Sequence, residues 1–223
     1  MTSDALLLWL TSEAAFPWLV AASLLVLFVL LSVVRSARFK GFLGELRVKV
    51  ATGLRLNGRT YRSLHNLTLP TEDGTTQIDH VIVSEFGVFV IETKNLTGWI
   101  FGNERSRKWT QSLHRNSRFQ FQNPLRQNHG HVKVVGKLLG LGPRCLHSVV
   151  VFVGKSEFKT TMPHNVLGRR GLIRHIKSKT DVLLSDEQVE ASIRTLKESR
   201  LSGFGTRRRH IRGLREKHRS EAR

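Results

Sequence analysis

Residues 77–94 read QIDHVIVSEFGVFVIETK. Two runs dense in Val, Ile and Phe flank Glu85-Phe86-Gly87, which predicts strands over residues 77–84 and 87–93 joined by a tight turn. Side chains alternate along a strand, so Glu92 and Lys94, two positions apart, project from one side. A turn centred between Glu85 and Phe86 sets Asp79 directly opposite Glu92, with Cβ atoms about 5 Å apart. Two carboxylates and an ammonium gathered behind apolar runs desolvate badly unless a cation or tight hydrogen bonding compensates. A hard divalent ion meets that need, and all-oxygen ligation favours Mg²⁺ or Mn²⁺ over zinc. Such an ion would polarise a phosphate ester and acidify a bound water, with Lys94 orienting the water or offsetting charge on the phosphorane. The competing account of the same residues is a set of ion pairs on a half-exposed hairpin.

Upstream, residues 60–69 carry spaced apolar positions (Tyr61, Leu64, Leu67, Leu69) and predict a first strand, closed by Pro70 and the turn-rich residues 71–74. Before it, Phe42, Leu43, Leu46, Val50 and Leu54 recur at three- and four-residue steps, which predicts a helix over 41–56 that carries Glu45 and stops at Asn57-Gly58. Downstream, residues 98–102 and 108–112 are short strand candidates. A helix begins near Asn123-Pro124, with proline in its first turn, and runs to Leu139. Residues 146–153 read as a strand buried on both faces. Ser185 with Gln188 three positions on forms a capping box for a last helix ending near Ser199.

The chain has 223 residues and a formal net charge of +19, with a pI near 11.4. That is room for one domain with an anchor or tail, and the charge points to a polyanionic partner, nucleic acid or an anionic membrane face. Residues 14–34 are apolar except for Ser23 and Ser32. As a helix they extend roughly 31 Å, the thickness of a bilayer core. Asp4 and Glu13 precede this segment, while Arg35, Arg38 and Lys40 follow it. The expectation is an uncleaved single-pass anchor of the inner cell membrane, with residues 1–13 outside, Trp18 and Trp9 toward the outer interface, and the basic bulk in the cytoplasm. The bland alternative is a buried helix of a soluble protein. The single cysteine, Cys145, reads as a buried thiol in a reducing compartment. The ten histidines show no zinc-binding spacing. Residues 201–223 form a basic tail, disordered or conditionally folded, suited to phosphate or to an anionic leaflet at about 1 kcal/mol per basic residue.

Further motifs follow in order: Gly44-Glu45, Gln77-Ile-Asp79-His80, Gly87 through Asn95, Gly98-Trp-Ile, Trp109-Thr-Gln111 and Asn123-Pro124-Leu-Arg-Gln127. Together they resemble the nuclease-related domain (NERD) family of the PD-(D/E)XK nuclease superfamily, over about residues 41–140, with residues 141–200 completing the domain. The resemblance implies an α/β restriction-endonuclease-like core, a central mixed sheet of about four strands flanked by helices. It also implies that Glu45, Asp79, Glu92 and Lys94 hold the metal and catalytic positions, with Gln111 as a further catalytic candidate. The metal set would be Asp79, Glu92 and the Thr93 backbone carbonyl, with Glu45 in reserve.

Candidate nucleic-acid contacts are Gln77, Arg105, Arg107, Lys108, Trp109, Arg115, Arg118, Asn123, Arg126 and Gln127. For the basic residues the alternative is a solvated face, for Trp109 a core position, and for Asn123 and Gln127 pinning of the preceding loop. His80 alternates to the side opposite Asp79 and reads as structural rather than as a proton shuttle. The function expected is metal-dependent phosphodiester hydrolysis of nucleic acid, DNA before RNA. The alternatives are a catalytically idle module tethering nucleic acid to the membrane and a membrane-associated scaffold for protein partners.

Overall fold

The computed structural model describes residues 16–72, 74–114 and 117–201. The chain splits into two compact units between Leu43 and Gly44. In the first, helix α1 (Phe16–Arg35) is apolar around its whole circumference, with Trp18, Leu24, Leu25 and Phe28 all exposed. Ser23 and Ser32 return their hydroxyls to the carbonyls of Leu19 and Phe28, so neither leaves a hydroxyl without a partner. Among the described residues no single helix is long and apolar enough to cross a membrane, and Pro17–Val33 passes that test only together with Arg38–Arg55, as a bent pair. Helix α2 (Ala37–Arg55) follows and carries Glu45.

The second unit is built on the hairpin. Strands β1 (Arg62–Thr71), β2 (Gly74–Ser84) and β3 (Gly87–Lys94) are antiparallel neighbours. The β2–β3 register runs from Ser84 opposite Gly87 to His80 opposite Ile91, as the turn at Glu85-Phe86 predicts. Gly87 takes φ +110°, where a side chain would meet the Cys145 carbonyl and the His147 ring. Strand β7 (Leu146–Phe152) adds parallel to β3, and β9 (Val166–Gly168) parallel to β7. Helices α3 (Pro124–Leu139) and α5 (Asp186–Glu198) cover one face over Val81, Val83, Val88 and Val90. Helix α2 and the short α4 (Leu172–Lys177) cover the other over Ile82, Phe89, Ile91, Val149 and Val151. Each such side chain, fully buried, contributes about 1.5–3 kcal/mol.

Two expectations are corrected. Among the described residues the central sheet has five strands, and there is a second sheet of four in the order β6 (Ser117–Gln122), β5 (Lys108–His114), β4 (Gly98–Phe101), β8 (Ser156–Phe158). Cys145 is half-buried rather than buried, its Sγ 3.8 Å from the Leu183 carbonyl. The caps follow the sequence: Asn123 caps α3, and Ser185 and Gln188 close the capping box of α5. The expected tail beyond Leu201, and Trp9, lie outside the described residues.

Alternation breaks at one place. Leu64, Leu67 and Leu69 on β1, and Ile78, Val81 and Val83 on β2, all pack on the α3/α5 face. The steps from 64 to 67 and from 78 to 81 are odd, so each strand carries one extra residue, Asn66 on β1 and Asp79 on β2. The register holds across the insertion, with His65 opposite His80 and Leu67 opposite Ile78, because both strands gain together. Asn66 sits at φ +52° in the left-handed region, which asparagine tolerates better than most residues.

Candidate active site

The extra residue on β2 frees Asp79 from the alternating ladder at the point where β2 and β3 part. Its Oδ2 accepts the backbone N–H of Thr93 at 2.7 Å. Val153 donates to the Lys94 carbonyl, so strand alternation turns the Thr93 carbonyl away from β7, to the side where Asp79 lies. Glu92 and Lys94 emerge on one side, as expected, and Lys94 Nζ donates to Glu92 Oε1 at 2.7 Å and to Gln127 Oε1 at 2.9 Å.

Helix α3 brings a residue that sequence reading missed. His131, one turn after Gln127, places Nε2 3.3 Å from Glu92 Oε2 while Nδ1 meets Thr76 Oγ1 at 3.0 Å. The His131–Glu92 contact does not meet hydrogen-bond geometry, so among the described residues Glu92 Oε2 is buried with no hydrogen-bond partner. The i, i+4 spacing of Gln127 and His131, on the helix opened by Asn123-Pro124, is the signal that could have found it.

Charge sorts the two acids. Burial, and then the Glu92 carboxylate, push the Asp79 carboxyl well above the ordinary aspartate range, against the Thr93 N–H and Lys94, and Glu45 adds to the rise. Burial would also raise Glu92, which is 2% exposed, but His131 and Lys94 outweigh it and hold its carboxyl low. As pH falls, Asp79 takes up a proton first.

Glu45 is held near by a close approach: a Cβ on Gly44 would stand 2.7 Å from Asn95 Cβ and 3.2 Å from Val153 Cγ2. Only glycine lets α2 lie that close to the ends of β3 and β7. Among the described residues no three His, Cys, Asp or Glu side chains form a metal-binding group.

The profile of the nuclease-related domain, NERD, matches residues 40–153. The chain belongs to that family. An uncharacterized protein of Bacillus anthracis is 37% identical over 185 residues, 81% of this chain and 86% of the relative. No solved structure matches. The matched span of the NERD domain begins just before Gly44 and ends at Val153, so it contains all the acids above, Lys94, Gln127 and His131.

Several expected nucleic-acid contacts stand elsewhere. Trp109 is corrected: its ring is fully buried, stacked on Phe152, with Nε1 donating to the Asn103 carbonyl, so no base can reach it. Asn123 is corrected likewise, since its buried amide donates to the carbonyls of Asn103, Glu104 and Ser106 and pins that loop. Gln111 Nε2 donates to the Thr97 carbonyl at 2.7 Å and so ties β5 to the loop after Lys94. Gln77 is exposed beside Asp79. Arg105, Arg107, Lys108 and Arg118 are exposed on or beside the second sheet, and Arg115 lies outside the described residues.

Arg126 lines an open cavity of about 620 Å³ with Leu125, His129 and Asn165. At 100° per residue this is the side of α3 turned away from Gln127 and His131. His80 is structural as expected: its Nδ1 is 2.8 Å from His65 Nδ1 on the other face, and burial, then His65, lower its pKa to about 3.

Proposed function

We propose that this chain is a metal-dependent nuclease, anchored in the membrane by residues 14–34, that hydrolyses phosphodiester bonds of nucleic acid, DNA in preference to RNA. The observation carrying this reading is the meeting of Asp79 and Glu92 at the opened end of the hairpin, with the buried Glu92 Oε2 left without a hydrogen bond. Mg²⁺ is commonly held by one or two carboxylates, with substrate phosphate and water completing its shell, so the lack of a third acidic ligand among the described residues is compatible with it. Asp79, Glu92 and the Thr93 carbonyl would hold the ion, with Glu45 within electrostatic reach of Asp79. Bound there, Mg²⁺ or Mn²⁺ supplies a polarised phosphate and an acidified water.

The chain's own groups do the rest. Lys94, fixed between Glu92 and Gln127, sets an ammonium where charge builds on the phosphate, and His131 Nε2 stands 3.3 Å from the second Glu92 oxygen. Membership of a nuclease-related family implies nucleic acid as the partner, and the +19 charge suits a polyanion. The anchor reading rests on the all-round apolar α1 and its self-bonded serines. Residues 14 and 15 of the anchor lie outside the described residues. Arg35, Arg38 and Lys40 then set the nuclease unit on the cytoplasmic side, and the basic tail adds contact with anionic lipid.

One observation favours the competing reading, an idle nuclease-like module that tethers nucleic acid. Glu92 already has an ion pair within the chain, with Lys94 at 2.7 Å, and faces His131 at 3.3 Å. The test is incubation of the full chain in detergent with supercoiled, linear and single-stranded DNA and with RNA, in Mg²⁺, Mn²⁺ or EDTA. Cleavage in either metal that stops in EDTA supports the nuclease. Binding without cleavage under every condition leaves the tether.

A further inference from the structure

We propose that the outer face of the second sheet is a stacking platform for unpaired bases, so that the nucleic acid this protein engages is single-stranded where it crosses β4–β6. Residues opposite one another in a sheet share a face. Ile100, Trp109, Phe121 and Phe158 therefore form the inner face, which packs on Val150 and Phe152. The register assigns Trp99, Glu157, Ser112 and Arg118 to one row of the opposite face, and Phe101, Thr110 and Gln120 to the next, with Lys108 and Gln122 beyond.

Trp99 keeps 45% of its surface open, although burial of an indole is strongly favourable. Phe101, two residues on, presents a second ring about 7 Å along the same strand. Lys159 stands 4.9 Å above the Trp99 ring, a cation already at a π-face. Lys108 and Arg118 are exposed at the margins, and Gln120 and Gln122 add hydrogen-bonding side chains.

The one acid in these rows, Glu157, is paired with Lys159, whose hydrogen bond holds its carboxyl below the ordinary range. The face is thus net cationic, with the open Trp99 indole, the half-buried Phe101 ring and polar groups between them. A protein partner would be expected to meet a larger apolar area than this. A duplex keeps its base faces stacked inside, whereas a single strand offers them to aromatic rings and its phosphates to flanking cations.

This inference rests on the nuclease reading for its ligand class but not on cleavage, and the test separates the two. The full chain in detergent is titrated in EDTA with fluorescent single-stranded DNA and RNA of one sequence and with the matched duplexes, while tryptophan emission is followed. The expected result is tighter binding to the single strands than to the duplexes, with quenching that is reduced in Trp99→Phe while affinity is largely kept. Trp99→Ala should weaken single-strand binding about tenfold. Phe101→Leu keeps apolar volume, loses the ring, and should also weaken it. Binding is read in EDTA, where no cleavage is required, so absence of cleavage alone leaves the platform standing. Equal affinity for duplex and single strand, or unchanged single-strand affinity in both Trp99→Ala and Phe101→Leu, overturns the proposal. Should Trp99→Ala not fold, Phe101→Leu together with the Trp99→Phe quenching decides it.

Discussion

The carboxylate of Asp79 accepts the backbone N–H of Thr93 at 2.7 Å, where the ladder between β2 and β3 has ended. That one bond brings an acid from one strand to the main chain of the next, beside Glu92. It places a group whose charge is disfavoured by burial next to one whose charge is favoured by Lys94 and His131.

In EDTA the stability of the fold depends on pH through both acids. Asp79 has a folded pKa above its unfolded value of about 3.9, so the native state keeps a proton that the unfolded chain releases. Its contribution is present at low pH and lost as pH rises from about 4 through the raised folded value. Glu92 has the opposite sign: its folded pKa is lowered, so its contribution is present above the ordinary glutamate range and lost as pH falls below it. Asp79→Asn, which can still accept the Thr93 N–H, should therefore be more stable than the unsubstituted chain above neutral pH, by about 1 kcal/mol, the usual size of such a gain. Urea unfolding at a series of pH values checks the sign.

Lys94→Ala leaves Glu92 buried with His131 alone. Removing one partner of a buried pair costs about 3 kcal/mol, here reduced because Lys94 is partly open to solvent. The unfolding free energy from denaturant titration should fall by no more than that amount, and cleavage should fall at least a hundredfold, since a positioned charge at the phosphate is lost. Lys94→Arg should restore much of the stability and little of the rate, because a fork replaces a point charge.

Asn66 makes a backbone prediction. Asn66→Gly should be close to neutral, while Asn66→Val should cost about 1–3 kcal/mol at φ +52°. If the paired extra residues set the position of Asp79, Asn66→Val should also lower cleavage in the fraction that folds. Unfolding curves and single-turnover rates measured on the same samples separate the two effects.

Much of this arrangement was legible in the sequence because its signals are local. The turn at Glu85-Phe86 fixes the hairpin register, two-residue alternation puts Glu92 and Lys94 together, and Asn123 and Ser185 mark their helices by capping chemistry. The paired insertion was not legible, since the spacing of Leu64, Leu67 and Leu69 shows one odd step and gives no sign that β2 shares it. Strands β8 and β9 have three residues each, too short for a period to show, and β6 alternates Phe119 and Phe121 with polar residues over only six positions. Trp109 and Asn123 looked like ligand contacts because the residue type does not reveal which way a side chain turns. His131 was hidden because its partner, Glu92, lies 39 positions away in sequence.

On the proposed reading, Asp79 and Glu92 jointly hold a divalent cation. This is tested most directly by anomalous diffraction at the manganese edge from crystals of the full chain grown with Mn²⁺. The expected result is a peak between the two carboxylates, about 2.0–2.3 Å from an oxygen of each, that is lost in Glu92→Gln. Manganese bound elsewhere with these carboxylates bare, or a peak unchanged by Glu92→Gln, would contradict it.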